Sequence, residues 1–295
     1  MTITQPVTST SSHLMWQLRG EWRKLFTTRI WWQFAVGVAV TTGLGLVLSV
    51  GTTGDALHHG GKGAPPHGFA DVSTAPAHLV ASFATDVFTS GQFFGGMFAT
   101  RLAVLLITNE YRHQTATTTF LAGPRRTTVI VSKFLTATIA AAAVWALSTA
   151  IDLAVGVSYF SSQGLSSQLG SWTVERAILV NAMVFALWGV FGLGVGVLLR
   201  SQVAATVVTV LLYTVGVYGA LGVLAAIQQF VYHHDSVVAW IVLYPGYAAQ
   251  VATDPHSTNL PDNSIPWWVG ALVMLGYGLV MATIGTTLLR RRDIT

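Results

Sequence analysis

"NEYRHQTATTTFLAGPRRTTVIVSK", residues 109–133, separates two long apolar runs and holds four of the chain's 15 Lys and Arg residues: Arg112, Arg125, Arg126 and Lys133. It opens with an acid, Glu110. Only 9% of the 295 residues are charged, whereas a soluble domain carries roughly a quarter. With 52% apolar residues and a mean hydropathy of +0.59, the chain cannot cover a water-facing surface. Most of its surroundings are therefore lipid, and this stretch reads as a connection held at one membrane face.

A hydrocarbon core about 30 Å thick takes about 20 apolar residues of helix. Working outward from the stretch, six segments qualify, at about residues 30–50, 87–108, 134–159, 177–199, 203–227 and 267–289. The second contains Arg101 and the third Asp152; the other four carry no charge. The fourth and fifth are separated only by Arg200, Ser201 and Gln202.

Basic residues fall on the cytoplasmic side of membrane proteins. Arg19, Arg23, Lys24 and Arg29, the four bases of the stretch, Arg200, and Arg290, Arg291 and Arg292 share one side; Lys62 and Arg176 take the other. The expectation is an all-α polytopic protein of the cell membrane with both termini cytoplasmic. This placement also explains the sequence pI of about 9.6 without nucleic acid.

Residues 1–12 are uncharged and polar, without the basic start and apolar run of a signal peptide, and read as a disordered tail. Residues 13–295 read as a single transmembrane domain. In residues 13–29, Leu14, Met15, Leu18, Trp22, Leu25 and Phe26 recur at helical spacing, with Arg19, Arg23 and Lys24 on the remaining face. That pattern predicts a helix lying along the interface; an irregular basic flank is the alternative.

Within the stretch itself, Thr115 to Leu121 can continue as helix until Gly123 and Pro124 stop it. Bases that merely enforce topology account for the Arg residues but leave Glu110 unexplained.

Glu110, Thr115, Leu121, Pro124, Arg126 and Lys133 resemble the pattern that follows the second span in ABC-2 type permeases, the membrane half of ATP-binding-cassette transporters. Gln114 stands where that family commonly has Gly. The "EWRKLFTTR" segment at 21–29 is similar to the family's N-terminal elbow helix, and the six-span plan extends the likeness over nearly the whole chain. The resemblance implies that residues 109–126 form a coupling helix seated in a separate ATPase subunit. Glu110 and Arg112 would supply polar contacts, Phe120 and Leu121 apolar anchoring, with Thr115, Pro124 and Arg126 completing the motif. It also implies two ATPase chains, which bind the ATP and Mg, and a second permease chain, identical or related. Export of an amphipathic or lipidic substrate (a drug, an antimicrobial peptide, a lipid or a glycan precursor) follows from the same likeness.

The chain should hold no cofactor of its own. "GGKGAPP" at 60–66 has no hydroxyl after its Lys, so it is not a phosphate-binding loop. The absence of Cys removes thiolate metal sites and Cys nucleophiles. Seven of the nine His lie on the outer side with Asp55, Asp71 and Asp235 nearby, yet no pair has the spacing of a firm metal site.

Arg101 and Asp152 are the candidate pathway residues, because intramembrane charge is costly and marks function by default. Snorkelling of Arg101, and contact of Asp152 with the outer headgroups, are the structural alternatives. Gly91 with Gly95, and Gly189, Gly192, Gly194 and Gly196, have the small-residue spacing that lets helices approach closely, more simply within one chain than between two. "YPGYAAQ" at 244–250 reads either as a short interfacial helix or as a turn in an outer loop. Two rivals to the permease remain: a proton-coupled carrier titrating Asp152, and an intramembrane enzyme, which the absence of His from every predicted span disfavours.

Overall fold

The computed structural model describes residues 10–27, 30–61, 64–112, 126–232, 240–254 and 265–291. Every regular element among them is helical: α1 (Thr10–Thr27), α2 (Ile30–His59), α3 (Ala77–Phe88), α4 (Gln92–Arg112), α5 (Arg126–Ser162), α6 (Trp172–Leu199), α7 (Gln202–Ile227), α8 (Pro245–Thr253) and α9 (Trp267–Arg291). Among the described residues five segments are long and apolar enough to cross a membrane: 31–59, 77–112, 127–162, 172–199 and 267–289. Residues 202–230 make a sixth if a 45° bend between Gly216 and Tyr218 is counted within one span. The spans run up and down, so Ile30, Arg112, Arg126, Leu199, Gln202 and Arg291 share one end of the bundle, here termed the basic end.

Besides this bend in the fifth, three other predicted spans change shape. The first continues to His59, well past residue 50. Its polar last turns are held because Ala56 and Leu57 are buried against Phe83, Phe88 and Phe160. The second begins ten residues earlier than expected, at Ala77, and is broken at Thr89–Gly91 into α3 and α4. The third starts at Arg126 and reaches Ser162, a helix of 37 residues. The narrow separation at 200–202 holds. Arg200 takes the left-handed conformation (φ 53°) that closes α6, and the Ser201 side chain accepts from the Ala204 N–H to open α7.

α6 is the central helix and packs against α4, α5 and α9. Its glycines permit this. A Cβ on Gly189 would lie 2.8 Å from the Ala137 carbonyl of α5, and one on Gly194 2.9 Å from Met281 Cβ of α9. Close backbone approach gains dispersion contacts that apolar burial cannot supply in lipid. The small-residue spacing thus serves packing inside this chain. At the basic end Ile107, Ile130, Leu193, Val197 and Leu289 form a tight cluster; at the far end Val87, Phe88, Phe160 and Val174 form another.

Residues 10–27 are helical, with Met15 and Trp16 exposed. The ambiguous "YPGYAAQ" segment is helix α8, started by Pro245, whose missing N–H costs nothing at that position.

Candidate functional site

Two places gather polar chemistry within this apolar frame. The first is the foot of the 109–133 connection. Glu110 lies in the last turn of α4 and Lys133 in the second turn of α5. Hairpin geometry brings them together: Lys133 Nζ stands 2.6 Å from Glu110 Oε1, with both residues almost wholly buried (2% and 3% exposed). The cluster of Ile107, Ile130, Leu193 and Val197 adjoins them.

Around this pair the turn between α6 and α7 braces the same foot. Arg112 donates to Gln202 Oε1 at 3.3 Å, and the Arg200 guanidinium lies 5.8 Å from the centre of the Tyr111 ring. Glu110 is therefore turned into the bundle, while Arg112 is exposed. Thr115, Phe120, Leu121 and Pro124 lie outside the described residues. Arg126 opens α5.

The second place is the break between α3 and α4. Asp152 of α5 is fully buried rather than reaching a headgroup layer. Its Oδ1 accepts from Ser90 Oγ at 2.8 Å, and its Oδ2 from the Gly91 N–H at 3.3 Å. A carboxylate from a neighbouring helix thereby caps α4, satisfying donors that a helix start leaves open. Arg101 is elsewhere. It is exposed, with its guanidinium 5.9 Å from the centre of the Phe34 ring. The two intramembrane charges are not partners.

Beside the break a cleft of about 430 Å³ opens among α2, α3, α4, α7 and α8. α8 is fixed as its wall by Gln92, whose Nε2 donates to the Ala249 carbonyl at 2.9 Å and to Thr253 Oγ1 at 2.7 Å. Tyr244 just before α8 donates to the Leu212 carbonyl, at the bend of α7. The lining combines hydroxyls and rings with two carboxylates, Asp86 and Asp254. Sequence reasoning did not assemble the cleft. Its walls come from five helices, and the bend in α7 leaves no hydropathy signal.

Among the described residues no three His, Cys, Asp or Glu gather where a metal could sit. His58 and His59 are engaged locally, with Gln163 at 3.2 Å and Asp55 at 3.8 Å.

These features define a polytopic helical membrane protein with a braced basic hairpin and a polar cleft among its spans. The chain belongs to a family described as "Protein of unknown function (DUF2705)", whose model matches residues 66–295 and so covers both places. No curated protein matches it.

Proposed function

We propose that this protein is the permease subunit of an ATP-driven exporter of the ATP-binding-cassette class. In this reading it sits in the cell membrane with its basic end in the cytoplasm, pairs with a second permease chain, and is driven by two separate ATPase chains. The observation that carries the reading is the buried Glu110–Lys133 pair. It ties the two feet of the 109–133 connection to each other, so a force on the connection moves α4 and α5 together. A flexible topology signal needs no such lock.

Exposed Arg112, with the segment 113–126 beyond it, supplies the contact with the ATPase. Glu110 acts from inside by holding the lever stiff. α4 carries the motion to the α3–α4 break and the cleft, where substrate would bind. No residue of this chain performs chemistry, and ATP and Mg are bound by the partner.

Isolating the tagged chain from its native membranes in mild detergent tests the proposal. The wild type should bring a nucleotide-hydrolysing chain with it in stoichiometric amount, Arg112→Ala should bring less, and a chain scrambled over 115–121 should bring none. Equal recovery with the scrambled chain overturns the reading.

One observation favours a second reading, a proton-coupled carrier: Asp152 is a buried carboxylate at a helix break beside the cleft. Loss of transport in Asp152→Asn with no ATPase in the complex would select it.

A further inference from the structure

We infer that the α3–α4 break binds a sodium ion, held by Asp152 and by the hydroxyl and amide oxygens packed around it. Among the described residues Asp152 accepts from the Ser90 hydroxyl and the Gly91 N–H. Both donors are neutral. They orient the carboxylate but leave its charge in the apolar interior, where a counter-charge or a bound ion is needed to hold it.

The oxygens for that ion are gathered there. Ser148, Thr149 and Asp152 are three and four residues apart on α5, so they share one face, and all three are buried. Thr42 of α2 donates to Ser148 Oγ at 3.3 Å, which brings a further oxygen to that face. Gly91 lies against both hydroxyls: a Cβ there would collide with Ser148 Oγ and stand 3.0 Å from Thr42 Oγ1. The hydroxyls thus adjoin the same backbone whose N–H meets Asp152.

Two more oxygens carry the argument. Thr149 Oγ1 and Asn181 Oδ1 belong to residues 5% and 2% exposed, and neither has a hydrogen-bond partner among the described residues. Buried Thr85, Thr100, Thr108 and Thr136 each donate to the carbonyl four residues back; Thr149 does not. Packing register places Asn181. Phe185 of α6 meets Gly95 of α4, and Gly192 meets Thr100, so the two helices run in the same direction. Asn181, one turn before Phe185, is therefore level with Gly91, one turn before Gly95. Unbonded oxygens are costly away from water, and one ion offsets that cost at both.

The donor set selects the ion. Every ligand is a hard oxygen, which suits no soft metal. One carboxylate balances a single positive charge, and the close packing at Gly91 favours a small ion. Discontinuous spans are also where transporters coordinate sodium. Ser90 lines the cleft as well as bonding Asp152, which gives the ion a route from water. Once bound, it joins α2, α4, α5 and α6 at the break.

The test uses the purified full chain in mild detergent, without nucleotide or any ATPase, in sodium chloride or choline chloride at equal ionic strength. Sodium should raise the unfolding midpoint, read by Trp fluorescence, by about 5 °C at a hundredfold excess over Kd. Radiolabelled sodium should bind saturably. Asp152→Asn should abolish both effects, and Thr149→Val should weaken binding about three- to tenfold. Thr85→Val removes a buried hydroxyl already bonded within its own helix and should leave binding within about twofold.

Should Asp152→Asn fail to fold, Thr149→Val decides, because its hydroxyl makes no bond for the fold to lose. Equal midpoints in sodium and choline, or sodium binding unchanged by Thr149→Val, overturns the inference. A sodium response in a chain that never brings down an ATPase would sink the exporter reading alone; an ATPase companion without a sodium response would sink this one alone.

Discussion

Removing one member of the Glu110–Lys133 pair should cost far more than removing both. At 2.6 Å the gross attraction is about 6 kcal/mol for an effective dielectric near 20. Much of it offsets the desolvation of two charges that are 2–3% exposed. A single substitution, Glu110→Ala or Lys133→Ala, leaves the surviving charge buried and should cost about 3–5 kcal/mol. That corresponds to a fall of roughly 10 °C in the unfolding midpoint. The apolar double variant Glu110→Leu with Lys133→Met should recover most of the loss. Intrinsic fluorescence is the suitable assay, since the chain has 10 Trp and no Cys for thiol-reactive dyes. The four corners of the cycle should show coupling of at least about 2 kcal/mol. Single variants each within about 1 kcal/mol of wild type, or losses that simply add, would refute the lock. Unfolding in detergent is often irreversible, so the comparison is made at one scan rate.

Other perturbations test the frame. Gly192→Ala presses a methyl against the Thr100 carbonyl where α6 meets α4 and should cost about 1–3 kcal/mol, whereas Gly219→Ala faces open space and should gain up to about 1 kcal/mol; the same fluorescence melts compare them. Asp152→Leu strands the Ser90 hydroxyl and Gly91 N–H and should cost about 1–3 kcal/mol per stranded group, while Asp152→Asn keeps an acceptor and should cost less. In the loop after α2, Asp71 accepts from the Ser73 hydroxyl at 2.7 Å and backbone N–H at 2.9 Å, which hold its carboxyl below the ordinary 3.8. A depressed value means the contribution is complete above 3.8 and lost as pH falls through the lower, folded value. Amide protection of Ser73 relative to the α6 core should therefore drop only in that acidic window, and remain flat from pH 6 to 8.

Apolar run length made the spans legible, and the lone Arg200–Gln202 separation was legible because Ser caps and basic residues mark helix ends. The break at Thr89–Gly91 was not. Thr, Ser and Gly are tolerated inside spans, and the acid that caps the new helix lies 61 residues away in the chain. Likewise, the polar end of α2 fails a hydropathy reading, although Ala56 and Leu57 anchor it in the far-end cluster. Glu110 and Lys133 both stood out in the sequence. Their pairing did not, because it depends on how the α4–α5 hairpin closes. The cleft was the least visible feature, because its lining comes from five helices spread from residue 45 to residue 254.

Reconstituted transport tests the central claim most directly. Vesicles containing the permease together with the ATPase it brings down should accumulate labelled amphipathic cargo only when both ATP and the ATPase are present. Uphill movement by the permease alone, driven by a proton gradient and abolished in Asp152→Asn, would contradict the account.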